Sequence, residues 1–280
     1  VKAPLKFNYL NGYGAAYNGS GKPTAVESGL SVQSVWTQNA PTLTSITVTV
    51  IYPDDRVTGD PATITAGGGA WTSAGVTVTY LLATRGEAGI DGIPPEQAAP
   101  LRAQEEVTGA LRVGAEVVEF LDHQDGVVEY GLALRKGIAR EIRRRRPDIV
   151  IGMSYETVFA GGMTNQADHR AVGLAAVDAV RDAANRWIFR DLAEQEGMEP
   201  WSGVAAVYLA VAEPPTHYVD VTGHLEPAVA SLEAHAEYNR HLPDAFPKPR
   251  ELVTGILTRG AAAVARPGVE HAVLFRRYPM

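Results

Sequence analysis

Alternating and continuous apolar runs divide the chain after about residue 45 into strands and helices. Ile46, Val48 and Val50 alternate with threonines, and this pattern predicts a strand over residues 45–51 that stops at Tyr52-Pro53. Later apolar runs predict further strands over residues 76–83, 116–121, 149–153, 204–212 and 218–221. The run at 149–153 is apolar throughout, which is typical of a strand covered on both faces.

Segments with apolar residues at helical spacing lie between these strands. They predict helices over residues 100–113, 132–146, 171–184 and 225–238, and a weaker, Gly-interrupted helix around residues 62–74. Strands that alternate with helices of this length imply right-handed crossovers. The sequence therefore predicts one α/β, Rossmann-like domain over residues 45–280, with a mostly parallel sheet and helices on both faces. Residues 1–44 show no sustained period and are predicted to be irregular or weakly β-type.

Polar clusters follow four of the predicted strands. These clusters are Asp54-Asp55, Arg85 with Glu87, Asp122 to Gly126, and the segment from Ser154 to His169. Ligands of open α/β sheets bind beyond the carboxyl ends of the strands. Because polar loops are common, one such cluster would mean little, but four at one sheet edge favour a functional crevice.

Composition excludes several classes of partner and site. The net charge of −7 gives no electrostatic reason to expect nucleic acid or an anionic membrane surface. The chain has no cysteine, so any zinc must be held by nitrogen and oxygen ligands. No apolar run approaches the roughly 20 residues that span a bilayer, and residues 1–20 lack the apolar core of a signal peptide. We therefore expect a cytoplasmic protein that acts on a small molecule, with a homo-oligomer left open.

Two other sequence features have ordinary structural interpretations. Gly67-Gly68-Gly69 is not part of a dinucleotide fingerprint or a P-loop, so nucleotide binding is rejected. The four arginines at residues 143–146 precede Pro147, where cations complement the carbonyl end of a helix. They are not expected to bind nucleic acid.

An ordered set of short motifs resembles the zinc-dependent GlcNAc-phosphatidylinositol de-N-acetylases, also called PIG-L-like or LmbE-like proteins. The motifs are Pro53-Asp54-Asp55, Thr84-Arg85-Gly86-Glu87, Leu101-Arg102 with Glu105, Asp125-Gly126, Arg146-Pro147-Asp148, Asp168-His169-Arg170-Ala171-Val172-Gly173, Glu233-Ala234-His235 and Gly268-Val269-Glu270-His271. Each is weak alone, but their order along the chain is specific. Residues 1–44 lie outside the resemblance.

The resemblance implies an LmbE-like fold and hydrolysis of an acetamide, usually on an amino sugar. Carried over residue by residue, Asp55 and His169 are zinc ligands and Asp54 is the general base. Three protein ligands leave an open position for water, whose pKa zinc lowers toward 7. The same resemblance makes Arg85, Glu87, Arg102 and Asp125 candidates for shaping the site and binding substrate.

Structural roles for the same residues stay open. Asp54 and Asp55 could cap the next helix, and Arg85 with Glu87 could form a surface ion pair. Arg102 and Asp125 could form structural salt bridges. The remaining histidines of the C-terminal half are expected to be packing or surface residues, whereas His123, at the third strand end, could replace a lost ligand.

Three residues depart from the family pattern. Tyr52 stands where the family has its first His ligand, and a neutral phenol is a poor zinc ligand. Arg56 replaces a usual acidic residue. Gln166 stands where many members have a second His that acts as general acid; Gln can donate a hydrogen bond to an oxyanion but cannot give up a proton.

Two functions of different classes follow from this pattern. The first is a metal-dependent N-deacetylase acting on an amino-sugar-like or small N-acylated metabolite, with Zn²⁺ that is weakly bound, or absent, because of Tyr52. The second is a non-catalytic binding protein on the same fold, whose metal site is eroded at Tyr52. The poor match before about Gly75 leaves a further alternative, that these residues do not represent the natural chain.

Overall fold

The structure, a computed structural model, describes residues 78–159 and 162–280, together with the backbone of three two-residue strands earlier in the chain. In chain order the elements are β1 (Asn8–Tyr9), β2 (Ile46–Thr47), β3 (Thr63–Ile64), β4 (Thr79–Leu82), α1 (Pro95–Arg112), β5 (Val117–Phe120), α2 (Leu132–Arg145), β6 (Ile149–Met153), α3 (Ala167–Ala184), α4 (Arg190–Glu194), β7 (Ala206–Ala210), β8 (His217–Asp220), α5 (Leu225–Glu233), α6 (Ala236–His241), α7 (Pro249–Val264) and β9 (Ala272–Pro279).

Two parallel strand pairs form the part of the fold that carries the predicted site. β4 pairs in parallel with β5 across the crossover helix α1, and β6 pairs in parallel with β7 across α3 and α4. A helical crossover is the connection that parallel neighbours require. The predicted α/β class is therefore confirmed. Along the chain, helices separate the two strands of each parallel pair, as expected.

The C-terminal part of the sheet is antiparallel, which the sequence analysis did not anticipate. β9 pairs antiparallel with both β7 and β8, and β1 pairs antiparallel with β8, giving the strand order β1-β8-β9-β7-β6. The described sheets are therefore mixed rather than mostly parallel. β2 and β3 form a separate antiparallel pair.

The main core lies between α2, α3 and one face of β6 and β7. Ala175, Ala179 and Ala183 are buried along α3, where their small side chains let the helix lie close to α2 and the sheet. Val207 and Leu209 of β7 face this cluster. Leu81 of β4 and Leu121, just beyond β5, pack against the same cluster, so both parallel pairs share one core.

Arg143 fastens α2 to the carboxyl end of α3. Its side chain is buried and donates hydrogen bonds to the carbonyl oxygens of residues 182, 183, 185, 188 and 189. The last carbonyl groups of a helix have no partner within the helix, and a cation there also interacts favourably with the helix dipole. The arginines lie in the last turn of α2 as predicted, but Arg143 binds carbonyl groups at the end of α3, and Arg144 and Arg145 pair with Glu141.

Several predicted boundaries were wrong. α1 begins at Pro95 instead of residue 100, and Pro is favoured at such a first helical position. α3 begins at Ala167 instead of residue 171, which places His169 within its first turn. The predicted helix over 225–238 is two helices, α5 and α6, because the backbone at His235 leaves the helical region.

Two C-terminal elements were missed. α7 and β9 follow the helix that was predicted to be the last. Leu257, Ala261 and Val264 are buried at helical spacing in α7, so the signal was present in the sequence. α7 packs against Tyr218 of β8 and Ala272 of β9.

The predictions for β6 and for the early segments had mixed outcomes. Ile151 and Met153 are 43% and 39% exposed, so the face of β6 that carries them is partly open to solvent and β6 is not covered on both faces. β3 at Thr63–Ile64 contradicts a helix at those two residues. β2 agrees with the predicted strand at Ile46–Thr47, and the rest of both segments lies outside the described residues. Among the described helices, none is long and apolar enough to cross a membrane.

Candidate active site

Three of the four predicted polar clusters follow the carboxyl ends of parallel strands, two in the β4-β5 sheet and one in the five-stranded sheet. Residues 84–89 follow β4, residues 122–126 follow β5, and residues 154–165 join β6 to α3. Hydrogen bonds connect the first two segments to each other and the second to α3. Tyr52, Asp54 and Asp55, which would complete the site, lie outside the described residues.

Asp125 and Glu87 brace the first two loops against each other. The carboxylate of Asp125 accepts hydrogen bonds from Thr84 Oγ1 and the Ala88 N–H, both at 3.0 Å. The carboxylate of Glu87 accepts the backbone N–H groups of Arg85 at 3.1 Å and Asp125 at 2.9 Å. Both carboxylates therefore fix loop geometry, and in the described part of the chain the hydrogen-bond donors to the Asp125 side chain are neutral groups.

Arg85 does not pair with the side chain of Glu87. Its Nη1 lies 3.0 Å from Oδ1 of Asp122, which is largely exposed, and its guanidinium lies over the ring of Phe120. An exposed ion pair of this kind contributes little to stability. Arg85 therefore has a cationic head free to exchange partners at the rim of the site.

Asp168 anchors the second loop to α3. Its buried carboxylate accepts the N–H of Gly126 at 2.6 Å and the N–H of Val128 at 3.1 Å. An acidic residue in the first turn also complements the helix dipole. In the sequence Asp168 is only one member of a motif, with no role predicted for it. The structure makes it the residue that ties the loop after β5 to the helix that carries His169.

Asn165 sets the orientation of His169. The amide nitrogen of this buried Asn donates to the carbonyl oxygens of Ser154 at 2.7 Å and Glu156 at 2.9 Å. Its Oδ1 therefore faces Nδ1 of His169, 3.3 Å away, and can only accept. This assigns the proton of the neutral ring to Nδ1 and leaves the Nε2 lone pair free, as a metal ligand requires.

The charge state of His169 suits the same role. Shielding of one side of the ring from water lowers the pKa of His169, and the negative charges of Asp168 and Asp125 oppose this shift. Phe159 contributes to the shielding, with its ring centroid 6.2 Å from that of His169. Near pH 7 the ring is neutral and able to donate an electron pair.

Close contact between α3 and the end of β6 fixes the position of the start of α3, which carries His169, relative to the strand. A Cβ atom added to Gly173 would lie 2.3 Å from the carbonyl oxygen of Met153 and 3.2 Å from the Tyr155 nitrogen. Real Cβ atoms do not approach this closely, so only glycine allows the contact. Gly173 belongs to the same short motif as His169, one helical turn further on.

Gln166 occupies the N-cap position of α3, three residues before His169. It is exposed, and its side chain makes no capping hydrogen bond. The amide is therefore available to a ligand in the crevice. Arg102, by contrast, lies in α1 with its guanidinium bonded to Glu105 and to His235. His235 was expected to be a packing or surface residue, and no local pattern signals a contact between positions 133 residues apart.

The fit of a zinc ion rests on one described residue. His169 presents a neutral ring with a free Nε2, which fits zinc. Within residues 78–159 and 162–280 there is no group of three His, Asp or Glu side chains able to hold a metal. The other predicted ligands, Asp55 and Tyr52, are not among these residues, so the metal stays a prediction.

Comparison with known proteins gives one family. The family model for PIG-L, the GlcNAc-PI de-N-acetylases, matches residues 52–180. The diacetylchitobiose deacetylase of Thermococcus kodakarensis is 30% identical over 187 residues. This alignment spans 66% of the present chain and 66% of that relative's length.

Solved structures of the same fold include enzymes with different reactions. The N,N'-diacetylchitobiose deacetylase of Pyrococcus horikoshii matches with a TM-score of 0.63 and 22% identity, over 74% of this chain and 75% of that one. The 4-carboxy-2-hydroxymuconate hydratase GalB of Pseudomonas putida matches with a TM-score of 0.58 and 18% identity, over 75% of this chain and 87% of that one. At this level of identity the likeness establishes the fold alone.

Proposed function

Because this chain belongs to the PIG-L family of GlcNAc-PI de-N-acetylases, we propose that it is an N-deacetylase that hydrolyses the acetamide of a small N-acetylated amino sugar. The observation that carries the proposal is the arrangement of the three polar loops that follow β4, β5 and β6. Three polar loops are braced around His169, whose neutral ring keeps Nε2 free. The relative from Thermococcus kodakarensis, a diacetylchitobiose deacetylase, favours a mono- or disaccharide of N-acetylglucosamine as substrate.

Zinc would be held by Asp55 and His169, with Tyr52 at the position of the third ligand. When bound, the metal would polarise the amide carbonyl and lower the pKa of water. The chain's own contributions follow from residue chemistry. Asp54 takes the proton from the attacking water and returns it to the leaving amine, because Gln166 cannot give up a proton. Gln166 donates a hydrogen bond to the oxyanion.

The braced loops give the crevice its shape. Glu87 and Asp125 are engaged with backbone donors, so their carboxylates hold the loops and leave sugar recognition to residues with free donors. Arg85 at the rim and Gln166 at the N-cap of α3 have such donors. A fixed crevice is favourable for catalysis because positioning lowers the entropic cost of reaction.

The experiment is acetate release from N-acetylglucosamine and N,N'-diacetylchitobiose, with zinc added and with a chelator. The proposal expects acetate with zinc and much less with chelator. A binding protein on this fold, the alternative that Tyr52 favours, would bind the sugars and release no acetate under either condition. Release of no acetate from any N-acetylated sugar, by chain loaded with zinc, would overturn the deacetylase.

A further inference from the structure

Arg102 is held on three sides by residues of two distant segments. Its Nη1 donates to the carboxylate of Glu105 and to Nδ1 of His235, the latter at 3.0 Å. Its guanidinium carbon lies 4.3 Å from the centroid of the Tyr238 ring, a stacking distance for a cation on an aromatic face. Glu105 belongs to α1, whereas His235 and Tyr238 belong to the junction of α5 and α6 and to α6 itself.

Glu105 also fixes α6 relative to Arg102. This carboxylate is buried, and its second oxygen accepts the backbone N–H of Glu237 at 2.5 Å. That N–H lies in the first turn of α6, where backbone donors have no partner within the helix. The Glu105 carboxylate therefore neutralises the guanidinium and also caps the N-terminal end of α6, the helix that carries Tyr238.

His235 must be neutral to make its contact. An arginine N–H can only donate, so Nδ1 of His235 must be the acceptor and the ring proton must be on Nε2. Burial lowers the pKa of His235, the charge of Arg102 lowers it further, and Glu105 opposes both. Nε2 faces the carboxylate of Glu106, at 3.7 Å. The ring is thus placed between a cation and an anion on successive turns of α1.

Close packing of α5 on α1 makes this arrangement possible. A Cβ atom on Gly109 would lie 2.9 Å from the Ser231 carbonyl oxygen and 3.2 Å from Nε2 of His235. Glycine at this position lets the ring approach α1. The contact between His235 and Arg102 is therefore part of a close helix–helix interface.

The other edge of the guanidinium is directed at the site loop. Nε and Nη2 of Arg102 would lie 3.5 Å and 3.7 Å from a Cβ on Gly86, and a Cβ on Gly89 would lie 3.3 Å from the Tyr238 ring. Nε is buried and has no hydrogen-bond partner in the described part of the chain. An unsatisfied buried donor on a cation is costly, and two parallel N–H groups match an oxygen acceptor. The Nε–Nη2 edge therefore lies beside residues 84–89 with a donor that lacks an oxygen partner among the described residues.

We propose that His235, Glu105 and Tyr238 are positioning residues, which hold the Nε–Nη2 edge of Arg102 beside the 84–89 loop to bind an oxygen of the substrate. The inference rests on the proposed deacetylase function for the identity of that substrate, a hydroxyl or acetyl oxygen of an N-acetylated sugar. It makes the α5–α6 segment part of substrate recognition, although no residue of it was expected there.

Paired variants of His235 test the effect on substrate. In His235→Asn, Oδ1 replaces Nδ1 as acceptor for Arg102, whereas His235→Leu removes the acceptor. For a substrate that the unaltered chain deacetylates, KM should rise about tenfold in His235→Leu and stay within about threefold in His235→Asn, with kcat changed less, because a hydrogen bond to a charged group is lost in the first only. His241→Leu, in the exposed last turn of α6, is the matched control and should leave KM unchanged.

A double variant separates positioning from a general effect on folding. If His235 acts through Arg102, His235→Leu should add little to the KM change of Arg102→Leu, because coupled residues are not additive. Additive effects of the two substitutions, or equal KM values in His235→Leu and the unaltered chain, would overturn the inference.

Ring-nitrogen NMR of the full chain tests the contact without any turnover. The account expects His235 to carry its proton on Nε2 at neutral pH, and its pKa to rise in Arg102→Leu. A proton on Nδ1, or a pKa unmoved by Arg102→Leu, would overturn the positioning role even in an active enzyme. If the NMR result holds and the zinc-loaded chain releases no acetate from any N-acetylated sugar, the proposed function fails, and the substrate part of this inference fails with it.

Discussion

Oδ1 of Asn165 lies 3.3 Å from Nδ1 of His169, and the amide nitrogen of the same Asn is bonded to two backbone carbonyls of the loop after β6. The loop therefore dictates the orientation of the amide, and the amide dictates the tautomer of the histidine. The predicted zinc ligand is prepared by a residue that the sequence analysis did not single out. Outer partners of this kind commonly change metal affinity when they are removed.

Asn165→Leu should weaken zinc binding about 10–100-fold, because the isosteric side chain removes the acceptor that keeps the Nε2 lone pair free. The measurement is zinc affinity by competition with a chromophoric chelator, at temperatures well below unfolding. Asn185→Leu is the control, since Asn185 lies at the other end of α3 and bonds the N–H of Trp187. Equal zinc affinity in Asn165→Leu and the unaltered chain would refute the orienting role.

Gly173→Ala should destabilise the chain by about 2 kcal/mol or more, although alanine is the better helix former. The added Cβ would lie 2.3 Å from the Met153 carbonyl oxygen, so α3 must move away from β6. Gly131→Ala is the matched control because Gly131 is extended and has open space around it, and its effect should be under about 0.5 kcal/mol. Urea unfolding measures both, and similar free energies of unfolding for the two variants would contradict the close approach.

The stability of the chain should fall as the pH is lowered below about 6.5. Burial first, and the charge of Arg277 second, lower the pKa of His217 from 6.5 to about 3. The unfolded chain therefore binds this proton near pH 6.5 and the folded chain only near pH 3, so the free energy of unfolding decreases as pH falls through that window. Between pH 6.5 and 4.5 the loss from this residue should be roughly 2–3 kcal/mol.

Replacing His217 by Asn should flatten the pH dependence over that window. His169, His224 and His235 also have lowered pKa values and should leave a residual slope. The exposed His241→Asn serves as the control. Urea unfolding at several pH values makes the comparison, and parallel pH profiles for His217→Asn and the unaltered chain would show that His217 does not titrate as described.

Local sequence patterns predicted the parts of the fold that depend on local physics. Helical spacing located α1, α2 and α3, and continuous apolar runs located β4 to β7, because side-chain periodicity is a property of the single element. The antiparallel position of β9 between β7 and β8 depends on which strands β9 pairs with when the chain returns to the sheet. No spacing within residues 204–280 encodes that choice.

In the candidate site, too, the sequence predicted which segments are involved but not the contacts between distant residues. The resemblance pointed to the loops that carry Glu87 and Asp125 and to His169; these two loops are hydrogen-bonded to each other, and the second is hydrogen-bonded to the helix that carries His169. It did not reveal that Glu87 and Asp125 are occupied with backbone donors, since a carboxylate's partner cannot be read from its own position. The link between Arg102 and His235 is likewise a property of how α5 packs on α1.

The most direct test of the account compares acetate release by the unaltered chain and by Asp54→Asn, at equal zinc content. Asp54 is the proposed base, and it lies outside the described residues. The account predicts that the unaltered chain releases acetate from an N-acetylated amino sugar. It also predicts that Asp54→Asn is slower by about 10²–10⁴, because the base is lost while Asp55 and His169 still bind the metal. Absence of acetate from the zinc-loaded unaltered chain, or equal rates for the two proteins, would contradict it.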